Sequence, residues 1–217
     1  MTYVKICGIK NEEDALGAAE AGADFIGLMF AASTRQVTPS QAAKVTAALK
    51  KNKASVECVG VFVNERIPTV RKITETCHLD RVQLSGDESW EYCGELNLRF
   101  IKAIRLSSNE MAESVKQKIN KGKNTLRSQK HLIMLDTAAE GKYGGTGMTF
   151  DWTLAKTIVD KYDVIIAGGL NPGNVGRAIN LLKPWGVDVS TGVETKGVKD
   201  MKKIIKFIEA VREVDAD

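Results

Sequence analysis

From Tyr3 onward, short runs of apolar and β-branched residues alternate with longer Ala-, Lys- and Glu-rich stretches in which apolar positions recur every three to four residues. The short runs predict eight strands: Tyr3–Cys7, Phe25–Phe30, Val56–Val63, Arg81–Leu84, Phe100–Ile104, Leu132–Leu135, Val164–Ala167 and Val187–Val189. The amphipathic stretches predict helices over Glu12–Glu20, Pro39–Lys51, Ile67–Cys77, Glu110–Asn120, Trp152–Lys161 and Asn174–Leu182, with a last helix from about Asp200 to Val214. Strands that alternate with helices are joined by crossovers, so the sheet is parallel and helices cover it. Eight repeats of about 27 residues fit an α/β fold consisting of one (β/α)8 TIM barrel over residues 1–217. A doubly wound open sheet competes, but it usually has fewer strands and leaves two edges.

Charge and composition narrow the function classes. Lys and Arg number 31 against 27 Asp and Glu, a net charge of +4 scattered along the chain. That balance disfavours a nucleic-acid footprint or a polybasic membrane anchor, and aromatic residues at 6% leave little for base stacking. The basic stretch Lys116–Lys130 reads as a solvated helix end and loop. No run approaches the roughly 18 apolar residues of a membrane span, and the first ten residues lack the long apolar core of a signal peptide. The expectation is a soluble cytoplasmic protein with no nucleic-acid or membrane partner, either a monomer or a homodimer. Cys7, Cys58, Cys77 and Cys93 form no CxxC pair and have no histidine at metal spacing, so neither a zinc site nor a disulfide framework is expected.

In such a barrel the active-site face is built from the C-terminal strand ends and the loops after them. The first strand ends at Cys7 and the sixth at Asp136. A thiol and a carboxyl facing each other across the barrel mouth would make a base and acid pair. Each alone has an ordinary structural reading, since free cysteine packs as a small hydrophobe and aspartate often ends a strand by bonding to the next turn. Ala167-Gly168-Gly169-Leu170-Asn171-Pro172-Gly173 leaves the seventh strand, and Ser190-Thr191-Gly192-Val193-Glu194 leaves the eighth. Glycines there let backbone N–H groups approach an anion, and these are the loops where barrels often hold phosphate; one Gly-Gly alone is equally a tight turn. Arg35, after the second strand, offers a guanidinium able to hold a carboxylate with two parallel hydrogen bonds, or else an exposed solubilising charge. The glycine-rich stretch from Thr137 to Gly147 has the composition of a lid or of plain disorder. His78 and His131 fall away from the strand ends that carry chemistry, and no metal is expected.

Several blocks carry a family resemblance. Val4-Lys5-Ile6-Cys7-Gly8-Ile9, Gly60-Val61-Phe62-Val63-Asn64, Val82-Gln83-Leu84-Ser85-Gly86-Asp87-Glu88, Leu135-Asp136-Thr137, the segment Gly144 to Trp152, Ala167 to Pro172 and Gly186 to Glu194 run in order along the chain. Together they resemble phosphoribosylanthranilate isomerase of tryptophan biosynthesis. The resemblance implies an Amadori rearrangement of N-(5-phosphoribosyl)anthranilate to 1-(2-carboxyphenylamino)-1-deoxyribulose 5-phosphate, on a small phosphorylated substrate and without cofactor or metal. By matching position, Cys7 resembles the general base and Asp136 the general acid. Arg35 resembles the anthranilate-carboxylate ligand, and Gly168, Gly169, Ser190, Thr191 and Gly192 resemble the phosphate cradle. Lys5, two residues before Cys7 on the same strand face, is a candidate for lowering the thiol pKa. Ser85 stands where the family commonly has histidine, so no imidazole role transfers. Two alternatives remain. A related aminoimidazole carboxamide ribotide isomerase, or a bifunctional form, resembles a barrel with aspartate in the place of Cys7. A non-catalytic phosphate-binding barrel would keep the loops alone.

Overall fold

Eight parallel strands close on themselves in sequence order in the computed structural model, which describes residues 1–106, 111–126, 131–137 and 152–216. They are β1 (Tyr3–Cys7), β2 (Phe25–Met29), β3 (Glu57–Phe62), β4 (Arg81–Leu84), β5 (Phe100–Leu106), β6 (His131–Thr137), β7 (Val164–Ile166) and β8 (Gly186–Val189). The expected barrel is therefore present, and the open sheet is not. Closure occurs at the seam between β1 and β8, where Tyr3 pairs with Gly186 and Ile6 with Val189. Pairing is longest between β5 and β6, from Phe100 opposite His131 to Leu106 opposite Thr137. Both strands outrun the lengths expected from their apolar cores, because their polar ends, Arg105 and Asp136, stay in register.

The covering helices are α1 (Glu12–Glu20), α2 (Pro39–Lys51), α3 (Ile67–Thr76), α4 (Trp90–Leu96), α5 (Ala112–Leu126), α6 (Trp152–Val159), α7 (Val175–Leu182) and α8 (Met201–Ala216). Their starts follow local chemistry. Thr38 and Gln41 form a capping box that spans Pro39 at the first position of α2, and the side chain of Asn11 accepts from the Asp14 N–H. The pattern of apolar positions does not predict α4: seven residues make two turns, too few to show a period of 3.6. Its Ser89 cap and the left-handed Asn97 at its end are the local signals that mark it. Of the basic stretch, residues 116–126 belong to α5, and residues 127–130 lie outside the described residues.

Period-two alternation divides the strand residues between two cores. Val4, Ile6, Ile26, Leu28, Val82, Leu135 and Val187 face the helices, and Phe25, Val59, Ile101, Ala103, Met134, Ile165 and Ala167 form a smaller cluster with Trp185 inside the barrel. At the opposite end from the strand C-termini, the chain ends are tied together. The Thr2 N–H donates to Asp215 at 2.8 and 2.9 Å, and Arg212 donates to the Thr2 carbonyl at 2.7 Å.

Candidate active site at the barrel mouth

The inward positions of the strands continue past the apolar cluster into polar residues. Cys7, Gln83, Ser85, Arg105, Asp136, Asp188 and Ser190 all line one cavity of about 420 Å³, together with Arg35, Gly168, Gly169 and Thr191. Every sequence-predicted site residue except Gly192 is thus brought to one chamber. Gly192 supports it: a Cβ there would lie 1.9 Å from the Leu170 carbonyl oxygen, so only glycine lets the loop after β8 pack against the loop after β7. Gly168 and Gly169 both adopt positive φ, 95° and 67°, as that turn requires. Asn174 holds it by donating to the Gly169 carbonyl at 3.0 Å and accepting from the Asn171 N–H at 2.8 Å. Thr191 starts a 3₁₀ turn, Thr191–Val193, whose first N–H groups have no partner within the turn.

Cys7 is buried beside a buried ion pair. Lys5, 1% exposed, donates from Nζ to Asp188 Oδ1 at 2.7 Å across the barrel seam. Burial alone would lower the pKa of the Lys5 ammonium, but the charges of Asp188 and Cys7 and the hydrogen bonds to both together outweigh it and hold the ammonium above its ordinary value. Burial pushes the Cys7 thiol up, and Asp188 adds to the rise while Lys5 and Lys199 pull it down. The expected help from Lys5 is therefore present, yet the net direction is upward because desolvation is the larger effect. Cys58, Cys77 and Cys93 are also buried free thiols.

Arg35 is half-buried and already engaged. Its Nε and Nη2 each donate to a Glu194 oxygen at 2.7 Å, the two-bond carboxylate pairing expected of this guanidinium but made to the protein's own side chain. Glu194 is set by a two-stranded hairpin that the strand pattern did not predict, β9 (Glu194–Thr195) and β10 (Val198–Lys199). Its turn residues Lys196 and Gly197 both have positive φ, which matches the right-handed twist of a tight hairpin. The hairpin places Lys199 opposite Glu194, so that Lys199 Nζ donates to Glu194 Oε1 at 2.7 Å and to the Ser190 carbonyl at 2.9 Å. Burial alone would raise the Glu194 pKa, but hydrogen bonds and charge from Arg35 and Lys199 pull the carboxyl down to about 2.

Asp136 lies on β6, separated from β1 by β8 and β7, with Arg105 of β5 beside it in register. Arg105 also donates to the Ser85 carbonyl. Arg105, Gln83, Asp188, Glu194 and Lys199 were not singled out from the sequence. The available signal was the i, i+2 alternation that puts Lys5 with Cys7, Gln83 with Ser85 and Asp188 with Ser190 on one strand face. The glycine-rich stretch beyond Thr137, read as a lid, lies outside the described residues. His131 stacks on Phe100 with ring centroids 5.3 Å apart, at the N-terminal end of β6. Among the described residues, no group of three or more His, Cys, Asp or Glu side chains converges to hold a metal, and no helix is long and apolar enough to cross a membrane.

Comparison with known proteins agrees with this architecture along nearly the whole chain. Residues 4–210 match the family model of N-(5'-phosphoribosyl)anthranilate isomerase. The N-(5'-phosphoribosyl)anthranilate isomerase of Dehalococcoides mccartyi is 45% identical over 217 residues, covering 100% of this chain and 99% of that one. The crystal structure of phosphoribosyl anthranilate isomerase from Thermotoga maritima superposes with a TM-score of 0.83 at 36% identity, over 98% of this chain and 100% of that one. A phosphoribosyl anthranilate isomerase solved in complex with reduced 1-(o-carboxyphenylamino)-1-deoxyribulose 5-phosphate gives 0.82 at 34% identity, again over 98% and 100%. An eight-stranded barrel that gathers Cys7, Asp136 and Arg35 around one chamber, matched end to end by these relatives, belongs to the N-(5'-phosphoribosyl)anthranilate isomerase family of tryptophan biosynthesis.

Proposed function

We propose that the isomerisation is carried out by Cys7 as general base and Asp136 as general acid, on a small phosphorylated substrate held at its two anionic ends. The observation that carries this reading is that both residues line one cavity from strands on either side of the β7–β8 loops. Asp136 gives its proton to the ribose ring oxygen as the bond from that oxygen to C1 breaks and the anilino nitrogen lone pair forms a C1=N⁺ cation. Arg105, one strand over, is then the counter-charge for the carboxylate left behind. The cation acidifies the C2 proton, Cys7 removes it as the thiolate, and the C2–H electrons make a C1=C2 double bond while nitrogen regains its pair. The enol takes a proton at C1 and loses its hydroxyl proton, leaving a ketone at C2. Because burial disfavours the thiolate, Lys5, Lys199 and the substrate cation supply the positive charge that offsets it.

Gly168, Gly169, Ser190 and Thr191 hold the phosphate, with Gly192 letting their two loops pack together as one cradle, and that binding positions the reacting carbons without joining the chemistry. Arg35 takes the anthranilate carboxylate. A guanidinium has two bidentate edges; Glu194 occupies the one formed by Nε and Nη2, and the end formed by Nη1 and Nη2 remains for the substrate. The aspartate expected at the end of β1 in the aminoimidazole-processing relatives is Cys7 here, which favours the anthranilate substrate. Buried free thiols favour a reducing, cytoplasmic setting for a monomer or homodimer. The test is kinetic. Cys7→Ser and Asp136→Ala each lower kcat by roughly 100-fold or more, with affinity for the reduced product analogue kept within a few-fold. Turnover near wild type in either variant refutes the assignment.

A further inference from the structure

Gln83 projects from β4 into the cavity floor and is 6% exposed. Its Nε2 donates to Ser85 Oγ at 3.0 Å, which fixes the amide. Its Oε1 is buried, and among the described residues it accepts no hydrogen bond. The strand neighbours in register, Val61 and Ile101, offer only apolar side chains. The nearby cation does not serve it either, because Arg105 Nη2 is directed to the Ser85 carbonyl. A buried carbonyl oxygen left without a donor is costly and rare, and it calls for a bond made only when the cavity is filled.

The substrate's chemistry decides which part of it meets that oxygen. The phosphate dianion and the carboxylate are acceptors and carry no proton to donate. The donors lie between them, on the sugar hydroxyls and the anilino nitrogen. We propose that Gln83 Oε1 accepts a hydrogen bond from this middle section, so that Gln83 is a positioning residue whose aim is held by Ser85. The proposal rests on the reading of the cavity as the isomerase site. A neutral amide suits the place: it offers an acceptor without adding negative charge to a chamber that must admit two anions.

Gln83→Met keeps length and bulk and removes the acceptor. KM for N-(5'-phosphoribosyl)anthranilate and Kd for the reduced product analogue both rise by about 3- to 10-fold, the range for one neutral hydrogen bond. Inhibition by inorganic phosphate, which needs only the glycine loops, is unchanged. The thermal midpoint of the free enzyme stays level or rises, because an unpaired buried oxygen has been removed. Ser85→Ala shifts KM and Kd in the same direction by less, and adds nothing in the Gln83→Met background. Unchanged KM and Kd overturn the proposal, and so does a Gln83→Met protein that is less stable or does not fold, since that makes Gln83 structural. If the wild-type enzyme neither converts the substrate nor binds the analogue, it is the underlying reading of the cavity that fails.

Discussion

Glu194→Gln separates the anchoring of Arg35 from its electrostatic cost. In the wild type the carboxylate accepts three charge-assisted bonds of 2.7 Å, two from Arg35 and one from Lys199, with its side chain 6% exposed. The fall of its pKa from 4.5 to about 2 corresponds to about 3 kcal/mol of folding stability at neutral pH, at about 1.4 kcal/mol per unit. Glutamine keeps an acceptor, so the expected loss is about 1–3 kcal/mol, or about 3–10 °C in a domain of this size. The sign is fixed by the downward direction. The stabilisation is fully present above pH 4.5 and disappears as pH falls toward 2, so the melting points of variant and wild type converge over that interval. In kinetics at neutral pH, KM rises while kcat holds within a few-fold, because Arg35 loses the partner that aims it but Asp136 and Cys7, the proposed acid and base, are untouched. Thermal unfolding followed by circular dichroism from pH 2.5 to 8, beside steady-state kinetics, measures both. A melting-point gap that stays constant across that pH range, or a loss confined to kcat, would refute the reasoning.

Two further outcomes follow from the site's geometry. Cys7 alkylation by iodoacetamide, read peptide by peptide in a mass spectrometer, has a midpoint above the ordinary thiol value, and Lys5→Met moves it higher still; a midpoint below that value contradicts the dominance of burial. Gly192→Ala drives a methyl group into the Leu170 carbonyl and costs about 1–3 kcal/mol of stability. It also weakens phosphate inhibition, and unchanged phosphate inhibition would place the cradle elsewhere.

The strand and helix rhythm was legible because each unit is long enough to show its period, and α1 and α2 match their expected bounds. What escaped was either short or long-range. The α4 helix and the β9–β10 hairpin are too brief to carry a period, and only their cap and turn residues announce them. Cys7 and Asp136 stand out in the sequence because they end strands, a position visible in one dimension, and both line the cavity. Asp188 and Gln83 sit one alternation earlier, where a polar residue within an apolar run signals a buried interaction but not its partner. Glu194 shows the limit most clearly. Its partner Arg35 lies 159 positions away, and no local pattern joins them. The upward shift of the Cys7 thiol was equally out of reach, because it depends on how deeply the barrel buries Lys5, Asp188 and the thiol together.

The seam between β1 and β8 has a consequence for how the enzyme comes into being. Lys5 and Asp188, which meet across it, are 183 positions apart, and Thr2 and Asp215, which fasten the ends below it, are 213 apart. Contacts of such sequence separation carry the full loop-closure cost and form slowly. On a ribosome, β1 emerges first and must wait with one edge unpaired until β8 follows. Cys7 and the loop that faces it across the seam are therefore the last parts of the cavity to meet, and a nascent chain has no closed cavity to offer until β8 is released. The same nearness of the ends means that the two termini can be joined and the chain reopened at another surface loop, which would give β1 a neighbour on both sides early in synthesis.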